Sequence, residues 1–285
     1  MIPRKFEYYR ARGVEDALEF LCSHEDSKII AGGQSLTPMM KLRIMSPSYL
    51  VDIWGVNELR YINVEENGVL RIGALITHSE IEESSIIRER CPVLSLTAEN
   101  IADLQIRNRG TIGGSICHAD PAADYYPTLL VLDAKAVLRS SKGRRVLPIE
   151  ELVTAPFTTK LEECEILEEI VIPPYNGRAG FIKIARREGD FAVANAAVLA
   201  NVEDGIIQEI KVAVGGAGPK AIRLRNLEEK LRGKPLDGDM VESEVGQAVQ
   251  ILDPSSDIHG SSKYRRWVAK VIIKRLLLNL FSRGV

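Results

Sequence analysis

Apolar residues recur at two different spacings along this chain, and the places where the spacing changes mark its elements. Val14, Ala17, Leu18 and Leu21 lie three and four apart, which predicts a helix over 14–24 with one face turned inward. Two short apolar runs at 28–31 and 49–53 have strand length, and the stretch 35–43 between them suits a helix; together they predict a βαβ unit. If Ser35 caps that helix, Pro38 falls in its first turn, where a missing N–H is tolerated.

A second unit begins near Glu58. Asn67-Gly68 predicts a tight turn feeding a strand over 68–74. Thr77-His78-Ser79-Glu80 has the spacing of a capping box, in which hydroxyl and carboxylate satisfy each other's backbone donors, so a short helix starts there. The segment 92–104 reads as one helix. Asp120 followed by Pro121 is a strong helix start and predicts a helix through 122–132. Strands follow at 135–140 and 165–172. The turn formers Pro173-Pro174-Tyr175-Asn176-Gly177 then mark a junction. Beyond it, 180–187, 192–202 and 206–214 read as antiparallel strands, the last two joined at Asp204-Gly205, and 224–231, 240–252 and 262–281 read as helices.

With 285 residues the chain is long enough for two or three units with separate cores. A net charge of -2 gives no global reason to expect nucleic acid. Met1-Ile2-Pro3-Arg4-Lys5 leads into a mixed, charged segment, so no signal peptide is expected. The apolar stretch 268–281 is broken by Lys270, Lys274 and Arg275 and is not expected to span a bilayer; the cytoplasm is the expected compartment. Cys22, Cys91, Cys117 and Cys164 are widely scattered, which predicts neither a disulfide framework nor a metal cassette but small buried hydrophobes. His24, His78, His118 and His259 form no ligand cluster, so no metal site is expected.

The candidate chemistry lies in two glycine pairs, Ala31-Gly32-Gly33-Gln34-Ser35-Leu36 and Thr111-Ile112-Gly113-Gly114-Ser115. The first follows a predicted strand and precedes a predicted helix. Glycine reaches positive φ cheaply and lets phosphate oxygens approach main-chain N–H groups, to which a helix N-terminus adds partial positive charge. Either pair alone is more often a plain tight turn; together they suit the two phosphates of a dinucleotide. Asp124 reads equally well as a first-turn acid favoured by the helix dipole and as an acceptor for ribose hydroxyls.

Taken in order, AGGQSL, TIGGS, HADPAAD, EILEEIVIP and FIKIARREGDFA resemble the flavoprotein subunit of molybdenum-containing hydroxylases: the medium subunit of carbon monoxide dehydrogenase-like enzymes and the flavin domain of xanthine dehydrogenase. The resemblance covers essentially the whole chain. It implies an α+β fold: an FAD-binding region of the vanillyl-alcohol oxidase or PCMH type over 1–175, in subdomains of about 1–57 and 58–175, then a smaller C-terminal α+β domain over 176–285.

The resemblance also implies FAD, with Lys28, Ile29, Ile30, Ala31, Gly32, Gly33, Gln34, Ser35 and Leu36 around the pyrophosphate and part of the flavin. Thr111, Gly114 and Ser115 hold its other side, and Cys117 and His118 extend that set. Asp124 matches a ribose or adenine contact, Ile166 and Leu167 match apolar ring contacts, and Lys183 matches a lysine near the isoalloxazine; Phe191 stands where relatives often carry an aromatic. No catalytic acid or base is implied. Molybdopterin and [2Fe-2S] clusters are expected on a large and a small partner subunit, with NAD or another acceptor taking the electrons. Two alternatives stand beside this reading: a free-standing flavin oxidoreductase of the same fold, and a non-catalytic nucleotide-binding module.

Overall fold

The computed structural model describes residues 2–235 and 237–282. Its first lobe is a parallel three-stranded sheet, β1 (Glu7–Arg10), β2 (Ser27–Ile30) and β3 (Tyr49–Asp52), in the order β1-β3-β2. Helix α1 (Val14–Ser23) buries Val14, Ala17, Leu18 and Leu21, the four residues whose spacing predicts it. Helix α2 (Leu36–Lys41) is shorter than expected, because Arg43 turns left-handed at φ 60° and ends the run. The βαβ expectation holds for β2-α2-β3. Strand β1 was not expected: it is an edge strand with no buried residue, so it carries no apolar alternation to read.

The second lobe is an antiparallel sheet of β4 (Ile62–Val64), β5 (Leu70–Gly73), β6 (Lys135–Ser140), β7 (Gly143–Pro148) and β10 (Ile166–Ile172), ordered β4-β5-β10-β6-β7. The capping box is present at α3 (His78–Glu83), where Thr77 Oγ1 accepts from Glu80 N at 3.1 Å and the Glu80 carboxylate accepts from Thr77 N at 2.7 Å. After α4 (Ser85–Arg90), the single helix expected over 92–104 is two: α5 (Pro92–Glu99) and α6 (Leu104–Arg107). Ala102 is left-handed at φ 45° between them, and Asp103 starts the second by accepting Ile106 N at 2.8 Å. Helix α7 (Ile112–His118) follows. The next helix also differs from expectation. Asp120 caps only a local turn, accepting Ala122 N at 2.8 Å, and α8 (Tyr125–Val131) begins after Asp124. Short elements α9 (Ile149–Leu152), β8 (Val153–Ala155) and β9 (Thr158–Thr159) lead into β10.

The C-terminal sheet is β11 (Arg178–Ile184), β12 (Ala194–Glu203), β13 (Ile206–Gly215) and β14 (Ile222–Arg223), antiparallel and in sequence order. Asp204 and Gly205 turn the β12–β13 hairpin at φ 51° and 76°, as a primed turn requires. Both faces are covered. Phe181, Ala197, Leu199 and Ala213 join the core of the second lobe, while Ala196, Val198, Val212 and Val214 pack under α10 (Arg225–Leu231), α11 (Gly238–Ala248) and α12 (Ser262–Ser282). This is why β12 reads as a continuous apolar run instead of an alternating one. Arg265 of α12 is buried and clamps the sheet ends, donating to Val193 O at 2.8 Å and Gly216 O at 3.0 Å and to both oxygens of Asp257.

The cysteine expectation needs correction. Cys22 and Cys164 are joined as a disulfide across 142 residues, with Cα atoms 5.1 Å apart, so two of the four are not buried hydrophobes. Cys91 is buried as expected. Linear distance carries no information about spatial distance once a sheet brings its ends together, which is why scattered cysteines misled. Among the described residues, no helix is long and apolar enough to cross a membrane.

Candidate functional site: two glycine bends in contact

The first bend leaves β2 at Ala31. Gly33 sits at φ 75°, a left-handed conformation that favours glycine, and its carbonyl accepts Thr37 N at 3.0 Å. The N–H groups of Gly32, Gly33, Gln34 and Ser35 find no acceptor among the described residues. Four backbone donors in succession at a half-exposed turn are available to an anion. Helix α2 has six residues and Ser35 makes no side-chain cap, so the attraction belongs to these donors and not to a helix dipole.

The second bend differs, and here the expectation of two equivalent donor loops fails. Ile112 N donates to Ile76 O at 2.9 Å, Gly113 N to Ala74 O at 3.0 Å, Gly114 N to Thr111 Oγ1 at 3.0 Å and Ser115 N to Thr111 O at 3.0 Å. All four N–H groups at the start of α7 are therefore spent inside the protein. What this bend offers is the Ser115 hydroxyl and the bare surface of exposed Gly114. Gly113 has another reason to be glycine: a Cβ there would lie 2.6 Å from the Ala74 side chain.

The two bends touch. A Cβ on Gly32 would lie 1.7 Å from the Arg109 carbonyl oxygen and 3.1 Å from Gly110 Cα, so the loops meet backbone to backbone where only glycine fits. The second loop is held from behind by the start of α3, where His78 N donates to Gly110 O at 3.0 Å and Thr77 bridges Thr111. The Arg109 guanidinium stacks 3.8 Å from the centre of the Trp54 ring, tying the second loop to the segment after β3. A diphosphate flanked by bare backbone fits this arrangement.

The other residues expected at the site lie in several places. Lys28 on β2 stands near Cys117 and His118 on α7. Burial pushes the Cys117 thiol up to about 12 against that nearby charge, so it is no thiolate. Burial also lowers His118, Lys28 adds to the effect, and Asp120 at 4.0 Å opposes it.

Asp124 and Lys183 face each other. Lys183 Nζ donates to Asp124 Oδ2 at 2.7 Å and to Asn100 O at 2.9 Å, while Asn195 Nδ2 donates to Asp124 Oδ1 at 2.8 Å. Burial raises Asp124 above the usual carboxylate range, although Lys183 and Asn195 pull the other way. This pair joins α8 to the C-terminal sheet, a role neither residue was expected to have. Ile166 and Leu167 are buried at the entry to β10, Ile166 in the first lobe's core and Leu167 in the second's. Ile29, Ile30, Ala31 and Leu36 line the first bend from β2 and α2, and Phe191 is exposed.

Two features escaped sequence reading. Asn195, fully buried beside Asp124, gave no signal within an apolar strand. Gly215-Gly216 is a third glycine pair whose signal was present: Gly216 lies at φ 69° and donates to Pro121 O at 2.8 Å, and a Cβ on Gly215 would meet Asn195 Oδ1 at 2.4 Å.

Comparison with known proteins gives the family. Residues 4–175 match the FAD binding domain in molybdopterin dehydrogenase, and residues 179–280 match the CO dehydrogenase flavoprotein C-terminal domain. The chain is 38% identical over 273 residues to the glyceraldehyde dehydrogenase medium chain of Sulfolobus acidocaldarius, covering 95% of this chain and 97% of that one. It is 31% identical to the xanthine dehydrogenase FAD-binding subunit of Escherichia coli O157:H7, over 95% and 94% of the two chains. Its fold matches a chain of carbon monoxide dehydrogenase from Hydrogenophaga pseudoflava with a TM-score of 0.96 at 35% identity, covering 100% of both. The chain belongs to the family of FAD-binding medium subunits of molybdenum hydroxylases.

Proposed function

We propose that this chain is the electron-transfer component of a three-part molybdenum hydroxylase, with a small two-cluster iron-sulfur subunit and a large molybdopterin subunit as its partners. Bound FAD supplies the chemistry that joins one-electron carriers to a two-electron acceptor. The protein's part is to hold it. Gly32, Gly33, Gln34 and Ser35 would donate to the diphosphate, and Ser115 and the bare face of Gly114 would close its other side. Lys28, Cys117 and His118 would border the same cleft. In this reading Asp124 and Lys183 form a buried pair that holds the C-terminal domain against the FAD-binding region, and 1–57, 58–175 and 176–285 are its structural units.

The observation that carries the proposal is the contact between the two glycine bends beside four backbone donors that have no acceptor among the described residues. A nicotinamide acceptor, expected as one option from the sequence, finds no support in the relatives. The test is reconstitution. The purified chain should hold FAD and show flavin absorbance, yet oxidise no substrate until the iron-sulfur and molybdopterin subunits are added. Substrate turnover by the chain alone would favour the free-standing flavin enzyme, and a colourless chain that takes up no FAD would overturn the proposal.

A further inference from the structure

The two lobes that carry the glycine bends are connected by the chain once, between β3 and β4. A single connection leaves only non-covalent contacts to resist one lobe turning against the other. Elsewhere the seam is closed by the Gly32–Arg109 contact, by the Arg109 guanidinium on the Trp54 ring, by Leu75 and Ile166 joining the first lobe's core, and by the ion pair of Glu15 with Arg139. Cys22, at the end of α1 in the first lobe, and Cys164, two residues before β10 in the second, supply a second covalent connection. Cys22 is exposed and Cys164 half-buried, so the bond lies at the surface side of the seam and not in a core.

We propose that the Cys22–Cys164 disulfide is a thiol-reversible staple across this seam, and that breaking it speeds the release of bound FAD. The inference rests on the reading of the bends as the FAD cradle. With the staple closed, the lobes are tied at two points and the cradle stays shut. With it open, rotation about the single remaining connection separates Gly32 from Arg109 and exposes the diphosphate to water. The chemistry is thiol–disulfide exchange: dithiothreitol delivers two electrons and two protons, the S–S bond becomes two thiols, and the reductant leaves as its cyclic disulfide. Glutathione disulfide restores the bond and departs as two glutathione molecules.

The experiment uses the full FAD-loaded chain, equilibrated with glutathione disulfide or with dithiothreitol. FAD release is followed as free-flavin fluorescence on dilution, thermal unfolding is recorded alongside, and the bond is verified by the mass of iodoacetamide-labelled protein. Reduction should raise the release rate at least tenfold and lower the unfolding midpoint by on the order of 10 °C. Cys22→Ser and Cys164→Ser should release FAD at the fast rate whether or not dithiothreitol is present. Equal release rates in bonded and reduced wild type would overturn the proposal, as would labelling of both cysteines after glutathione disulfide treatment. If the chain holds no FAD in either state, the cradle reading and the gating role fall together, while a midpoint that drops on reduction in the wild type alone still upholds the staple.

Discussion

Single residues decide whether the bends can hold a diphosphate, and glycine at three of these positions is required for three different reasons. At Gly33 the reason is backbone conformation: φ is 75°, where an L side chain costs about 1–2 kcal/mol, and a β-branched one would also stand beside Thr37. At Gly32 the reason is contact, since any Cβ would overlap the Arg109 carbonyl. At Gly114 it is open surface, with only Thr111 Oγ1 close by, at 2.9 Å from where a Cβ would be. Gly33→Val and Gly114→Val should each leave less than about a tenth of the wild-type FAD after gel filtration, measured as flavin absorbance per chain, because a side chain enters the phosphate space. Full occupancy in both variants would refute the assignment. The two glycine bends of the candidate site were legible at this scale, because a missing side chain is visible in the sequence. The division of labour between the bends was not, since it depends on where each N–H points.

Among the elements, the start of α3 bears the greatest load, because the second bend rests on it. His78 is buried beneath Gly110, with Nδ1 3.0 Å from the Tyr125 hydroxyl. Burial and the Arg107 charge hold its pKa down at about 3. Because the folded value lies below the ordinary 6.5, the unfolded chain binds more protons between the two. Stability therefore rises with pH across that window and is lost as pH falls from about 6.5 toward 3, by on the order of 5 kcal/mol in full. Urea midpoints measured from pH 7 to pH 4 should fall steadily for the wild type and much less for His78→Gln; parallel curves would sink the assignment. Two of the helix boundaries that differ from expectation share a cause. At Asn100–Asp103 and Asp120–Asp124 a local cap signal is real, but the backbone serves a tertiary contact: Asn100 O receives Lys183, and Pro121 O receives Gly216 N.

In the whole molecule, the C-terminal domain grips the loop between α7 and α8 through Asp124, Lys183 and Asn195, and the Gly216 turn in that grip is itself fixed by Arg265. Lys183 and Asp124 have side chains only 7% exposed, so removing one partner strands the other's charge. Lys183→Met should cost about 3–5 kcal/mol. The double variant Lys183→Met, Asp124→Asn should recover part of that loss, as read by the coupling energy in chemical unfolding. A single variant as stable as wild type would show that the pair does not join the domains. The shared core makes the same point, because one face of the C-terminal sheet is buried against the second lobe and the other under its own helices.

By itself the sequence determined the elements with clear periodicity or a complete cap, such as α1, the box at Thr77 and the β12–β13 turn, along with both glycine bends and the family to which their order belongs. These are local properties, set by residues a few positions apart. The tertiary structure alone decided that the bends touch, that among the described residues the second bend's donors are spent and the first's are not, that Asp124 is claimed by Lys183, and that Cys22 meets Cys164. Each of these joins residues far apart along the chain, and hydrogen-bond partners and contacts over such separations exist only once the sheets have closed.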